Sequence, residues 1–181
     1  MKKNILILTG SPRKDGNSEL LADAFRAELE ANGHVVTKYS AGKKKIQGCT
    51  ACQKCYSKGG ACVFNDDFNE LAPLVENADM LVLATPLYWF SFPAQIKAAI
   101  DKMYASYVAK REVKIKETAL LVCAETDDRT DFDGIVRSYE LICNYLKWEN
   151  RGILLVSDVD KAGDILKTNA LQDARTMAGE I

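Results

Sequence analysis

Five short strand-like segments, each followed by an amphipathic helical pattern, constrain this chain more than any other feature. Ile5–Leu8, Val35–Tyr39, Met80–Thr85, Ala119–Ala124 and Ile153–Val156 are the strand candidates, short and rich in β-branched and other apolar residues. Between and after them, apolar residues recur at helical spacing: Leu20, Leu21, Ala24, Phe25 and Leu29; Phe68, Leu71, Leu74 and Val75, with Asp66 and Asp67 at the positive end of that helix; Ile96, Ala99, Ile100 and Met103; Ile135, Val136, Tyr139, Ile142 and Leu146; and a last helix around Leu166 to Ala178. Apolar strands separated by helices form a parallel sheet covered on both faces, and right-handed crossovers narrow the topology. The expected fold is α/β, a doubly wound five-stranded parallel sheet of order 2-1-3-4-5. With 181 residues, 48% of them hydrophobic, the chain suffices for one well-buried domain over 1–181 and is short for two. In such a sheet the ligand lies beyond the C-terminal strand ends at the switch point between strands one and three. The loops that leave those two strands are therefore where a site is sought.

The first is Thr9-Gly10-Ser11-Pro12-Arg13-Lys14-Asp15-Gly16-Asn17-Ser18. It sits at a helix N-terminus, where free main-chain N–H groups and the helix dipole favour an anion. Ser11, Asn17 and Ser18 offer side-chain donors, and Arg13 a planar cationic fork. A Walker loop needs four residues between its glycines, then Lys and Ser/Thr; here five separate Gly10 from Gly16, and Asn17 replaces the lysine. The dinucleotide fingerprint is missing too, with no acidic residue closing the second strand. A terminal phosphate monoester fits what remains. An ordinary turn with Ser and Asn as caps is the plainer alternative.

The second loop is Thr85-Pro86-Leu87-Tyr88-Trp89-Phe90-Ser91-Phe92-Pro93-Ala94. Three consecutive aromatics and Phe92 at a strand end are more apolar surface than a solvated turn carries, unless something covers it. Pro86 and Pro93 stiffen the loop, and a planar heterocycle would be a suitable cover. A subunit interface, or packing under the next helix, would also account for Trp89 and Phe90.

Six cysteines divide into two kinds. Cys123 lies in a strand and Cys143 in a helix, where small buried thiols are common. Cys49, Cys52, Cys55 and Cys62 instead follow C-x2-C-x2-C-x6-C. Three cysteines spaced by two residues let one loop curl around a cubane cluster, although the last gap is longer than in the bacterial ferredoxin run and no proline follows. Structural zinc sites use separated pairs, and the single histidine, His34, lies outside the loop, where it reads as a solvated residue ahead of strand two. A 4Fe–4S cluster, no metal, and zinc stay open as readings of residues 48–63.

The pairing of G-S-P-R-x-x-G-N-S after strand one with P-x-Y-W-F-S-x-P-A-Q-x-K-x-x-I-D after strand three resembles the flavodoxin-fold NAD(P)H-dependent FMN reductases, and within them the iron-sulfur flavoproteins. The segment Ala162-Gly163-Asp164-Ile165 also fits. The resemblance implies a flavodoxin-like fold in which Ser11, Arg13, Asn17 and Ser18 hold the FMN phosphate and Pro86, Leu87, Tyr88, Trp89 and Phe90 line the isoalloxazine. It places Glu125-Thr126-Asp127-Asp128 near the ring's other side and makes Cys49, Cys52, Cys55 and Cys62 the ligands of a 4Fe–4S cluster. The implied activity passes electrons from NAD(P)H or a reduced carrier such as ferredoxin to a small acceptor, a quinone or flavin. Hydride transfer to the flavin needs no acid or base, so no catalytic side chain is assigned; main-chain N–H groups of the aromatic loop would stabilise the reduced ring.

Charge bounds the alternatives. Flavodoxin-type carriers without turnover are usually strongly acidic, whereas 24 basic residues here face 25 acidic ones. The same balance offers no basic field for nucleic acid or an anionic membrane. Lys43-Lys44-Lys45 reads as a solvated face, with steering of an acidic redox partner or of NADPH as its functional alternative. The start, Met1-Lys2-Lys3-Asn4, runs into a strand and not a signal-peptide core, so a cytoplasmic location is expected. An aromatic rim is better covered by a neighbour, which predicts a homodimer or homotetramer.

Overall fold

The computed structural model describes all 181 residues. Five parallel strands lie in the order β2-β1-β3-β4-β5: β1 (Asn4–Thr9), β2 (Val35–Ser40), β3 (Met80–Pro86), β4 (Glu117–Cys123) and β5 (Glu149–Val156). The helices are α1 (Asn17–Ala31), α2 (Phe68–Asn77), α3 (Ala94–Lys102), α4 (Tyr104–Val108), α5 (Asp133–Leu146) and α6 (Ala170–Gly179), with 3-10 turns at Ala41–Lys43, Arg129–Phe132 and Asp164–Lys167.

Side chains alternate across the central strands, and each set has its own helices. Ile5, Ile7, Met80, Val82, Leu121 and Cys123 pack with Leu21, Phe25 and Leu29 of α1 and Ala170, Ala174 and Ala178 of α6. Leu6, Leu8, Leu81, Leu83, Leu120 and Val122 face Phe68, Leu71, Ile96, Ile135 and Tyr139 on the opposite side. Because β1, β3 and β4 are covered on both faces, they read as unbroken apolar runs. The edge strand β2 is only partly covered, so Thr37 and Lys38 are accommodated there.

Three expectations need correction. The last helix starts at Ala170; Leu166 belongs to the preceding 3-10 turn and is 63% exposed, because Thr168 turns the chain and accepts the Ala170 N–H at 3.1 Å. Leu146 is exposed, its turn of α5 being held by Cys143, and the chain breaks the helix at Lys147 in a left-handed conformation. His34 is not simply solvated: its Nδ1 accepts the Lys3 N–H at 3.2 Å, and burial together with Lys3 holds its pKa below the ordinary value. The short helix α4 was not anticipated, since five residues give too little periodicity to detect.

Residues 44–67 contain neither helix nor strand. The acidic pair before α2 ties this segment down. Asp67 accepts the Lys45 N–H at 2.7 Å, Asp66 accepts those of Gln47 at 2.9 Å and Phe68 at 3.1 Å, and Asn69 Oδ1 accepts that of Cys62 at 2.8 Å. In the lysine run, Lys44 pairs with Glu70 at 2.7 Å and Lys43 reaches Glu19 at 4.0 Å.

Candidate functional site

The loops leaving β1 and β3 meet, as the switch point requires. Gly10 donates its N–H to Ala84 O at 2.9 Å, and a side chain there would overlap Thr85 Oγ1 and crowd Ile96. No side chain caps α1, and the main-chain N–H groups of Asn17 and Ser18 have no acceptor in the chain. Ser11 Oγ accepts the Arg13 N–H at 3.2 Å, while the Arg13 guanidinium donates to Asp160 O at 3.2 Å. Ser18 is 2% exposed, and its hydroxyl has no hydrogen-bond partner of ordinary geometry. A buried, unpaired hydroxyl is costly, so its position beside unclaimed N–H groups marks a place for an acceptor.

Asn17 behaves differently. Its Nδ2 donates to Val159 O at 3.3 Å and Lys161 O at 3.0 Å, and its Oδ1 accepts the N–H groups of Gly163 at 3.0 Å and Ile165 at 3.3 Å. The side chain is thus committed to the loop between β5 and α6, and only its main-chain N–H is left for a ligand.

Opposite stands the aromatic turn. Tyr88 and Ser91 exchange both main-chain hydrogen bonds at 3.0 Å, closing a two-residue hairpin whose central residues, Trp89 (φ 46°) and Phe90 (φ 62°), are both left-handed. Such turns favour Asn-Gly; two bulky aromatics there cost about 1–3 kcal/mol each. The strain leaves the Trp89 and Phe90 N–H groups without acceptors and Trp89 92% exposed, its ring edge-to-face with Phe90 at 6.4 Å. Gly134 at the start of α5 permits the conformation, since a Cβ there would sit 2.5 Å from Phe90 O.

All nine residues expected at the ligand, Ser11, Arg13, Asn17, Ser18 and Pro86 to Phe90, line one cleft of about 540 Å³, the size of a small-molecule site. Glu125 and Thr126 join them; Asp127 and Asp128 do not. The sequence reading missed Cys123, Ala124, Asp131, Val159 and Asp160. Asp131 enters because Thr126 donates its hydroxyl to Asp131 Oδ2 at 2.6 Å, folding the acidic loop back. Val159 and Asp160 arrive through the Asn17 and Arg13 bonds, which no local pattern foretells. Burial pushes the Cys123 thiol up to about 12, with Ser18 and Arg13 offsetting part of the effect, so the cleft floor is a neutral thiol.

Cys49, Cys52, Cys55 and Cys62 line a second, small cavity of about 20 Å³ with Phe64, Phe68, Lys102 and Tyr104. All four are free thiols, Cys49 and Cys52 exposed. The main-chain N–H of Lys54 lowers the Cys52 pKa, and burial followed by the three neighbouring thiols raises that of Cys55. No three His, Cys, Asp or Glu side chains are gathered tightly enough to bind a single metal ion. Left-handed Ala51, Gln53 and Tyr56 coil the loop between the thiols. No helix is long and apolar enough to cross a membrane.

A model of the NADPH-dependent FMN reductase family matches residues 3–129. An iron-sulfur flavoprotein of Archaeoglobus fulgidus is 46% identical over 96 residues, 53% of this chain and 43% of that protein. The chain spans about half the length of the curated iron-sulfur flavoproteins it matches. Among solved structures, the NAD(P)H:quinone oxidoreductase of Methanothermobacter marburgensis superposes with a TM-score of 0.76 at 19% identity, covering 99% of this chain and 96% of that one. An FMN-dependent NADH-azoreductase of Bacillus anthracis, in complex with FMN, gives 0.69 at 15% identity and covers 97% of each. These likenesses establish a flavodoxin-like fold.

Proposed function

This chain belongs to the NADPH-dependent FMN reductase family, and from that premise we propose that it is an FMN-dependent oxidoreductase acting as one domain over 1–181, taking electrons from NAD(P)H or a reduced carrier and passing them to a small acceptor such as a quinone or flavin. The observation that carries this reading is the buried, unpaired Ser18 hydroxyl beside the uncapped start of α1, facing the strained aromatic turn across one cleft.

Each part has a task. The Asn17 and Ser18 N–H groups, the Ser11 and Ser18 hydroxyls and the Arg13 fork receive the phosphate monoester, with charge-assisted bonds contributing about 1.5–3 kcal/mol each. Asn17 acts at one remove, holding the loop that supplies Val159 and Asp160 to the cleft wall. Pro86 to Phe90 would hold the planar ring, and the N–H groups of Trp89 and Phe90, which have no acceptor in the chain, would be donors available to it. FMN, when bound, supplies the hydride-accepting centre, and the protein supplies placement. No side-chain acid or base is required. Flavin released by heat should be FMN, and the holoprotein should oxidise NAD(P)H with a quinone; released FAD, or no turnover with any nicotinamide, would sink this reading.

The four-cysteine cavity supports a second element, a 4Fe–4S cluster on Cys49, Cys52, Cys55 and Cys62. Four thiols on one coiled loop match the donor set such a cluster uses. Zinc needs four ligands converging within about 2.3 Å of one ion, and no such convergence of three or more ligands is present. The cluster would supply one-electron transfer. Anaerobic reconstitution should give about four irons per chain, lost in a C52S/C55S variant; absence of iron with FMN bound would leave a cluster-free reductase.

Exposed Tyr107, Tyr145 and Leu141 alongside Trp89 support assembly into a homodimer or homotetramer, checked by light scattering. Exposed free thiols favour the reducing cytoplasm.

A further inference from the structure

The four-cysteine cavity has one charged group in its wall, Lys102 at the C-terminal end of α3. Lysine is almost never fully buried unless paired, yet Lys102 is 2% exposed. Its ammonium is compensated by the Asp66 carboxylate and by the rings of Phe64 and Phe68, whose centroids lie 5.8 and 5.7 Å away. Asp66, however, is shared. It also accepts the Gln47 N–H at 2.9 Å and the Phe68 N–H at 3.1 Å, at the positive end of α2. Its negative charge is therefore divided among Lys102 and these donors, with Lys102 and the Gln47 N–H on the same oxygen. Lys102 thus lines the cavity that gathers four cysteines, whereas its counter-ion Asp66 does not.

We infer that Lys102 is a positioning charge for the cysteine site, raising the reduction potential of the group the four thiolates hold. This rests on the cluster reading above. Reduction adds one electron to an already anionic thiolate-bound centre, and a buried cation nearby stabilises the reduced form more than the oxidised one. A purely mechanical role is the rival, since the Lys102–Asp66 bond also straps α3 to the start of the cysteine loop. The two roles differ in sign. Removing the cation must lower the potential, and removing the carboxylate must raise it, whereas loss of a mechanical strap gives no reason for opposite shifts.

The experiment is a spectroelectrochemical titration of the anaerobically reconstituted protein, with iron counted in each sample. In K102M the reduced-to-oxidised ratio at a fixed potential should fall about tenfold, equivalent to 59 mV for a one-electron couple. K102R should stay near the native value, and D66N should shift the opposite way. A loaded K102M with the native midpoint, or K102M and D66N shifting together, overturns the inference. Should K102M fail to fold, D66N decides by itself: a rise supports the charge role, and no change or a fall overturns it. Native protein that takes up no iron overturns the cluster reading and this inference with it; loaded native protein indifferent to Lys102 overturns the inference alone.

Discussion

Ser18 and Asn17 are neighbours with opposite uses, and substitution should separate them. The Ser18 hydroxyl is buried and unpaired, so Ser18→Ala removes a group that costs the folded chain something. Thermal melts of the FMN-free protein should show an unchanged or slightly higher Tm. FMN affinity should fall roughly 10–150-fold, the equivalent of about 1.5–3 kcal/mol for a bond to a charged group; an unchanged Kd would remove Ser18 from the phosphate site. Asn17→Ala should do the reverse. It leaves main-chain groups of residues 159–165 unpaired, at a cost of at least about 1–3 kcal/mol. A fall in Tm of about 2–4 °C for each kcal/mol lost should therefore appear even without ligand. Sequence identified both positions, but not the difference, because the partners of Asn17 lie more than 140 residues away.

At the scale of elements, the turn after β3 stores strain where the aromatic rings are displayed. Replacing Trp89-Phe90 with Asn-Gly supplies the residues such a hairpin prefers. The W89N/F90G variant should melt about 2–8 °C higher without ligand, a conversion of about 1–2 kcal/mol of net relieved strain. It should also bind FMN more weakly and alter flavin fluorescence; stability gained with binding intact would mean that the rings serve something other than the cleft. Gly134→Ala tests the same element from α5. A Cβ at 2.5 Å from Phe90 O must displace the turn, so flavin binding should weaken although residue 134 does not itself line the cleft.

For the whole molecule, acid should act through groups that join distant segments. Hydrogen bonds from Arg111 at 2.6 and 2.8 Å hold the Glu76 carboxyl below the usual carboxylate range, with Tyr56 and Ser106 assisting and burial opposing. A depressed folded value means that the contribution is present above the unfolded value near pH 4.3 and is lost as pH falls through the folded one. His34, held low by burial and Lys3, works in the same direction from about pH 6.5 downward. Melts between pH 3 and 8 should thus show Tm level near neutrality and declining in two acid stages. Glu76→Gln should remove the lower stage; an undiminished decline below pH 4.5 would assign it elsewhere.

The sequence by itself determined the sheet, its order and the two loops at its switch point. Strand burial and helical periodicity are local patterns, and right-handed crossovers leave few ways to assemble five βα units. Spacing also marked four cysteines as one group, because C-x2-C-x2-C is short enough to act within a single loop. Only the tertiary structure decided which groups in those loops remain free. Asn17 is consumed by the loop before α6, Asp131 is brought into the cleft by Thr126, and Lys102 reaches the cysteine cavity from α3. Each of these depends on hydrogen bonds and burial between segments distant in sequence or on loop geometry, which residue spacing does not encode.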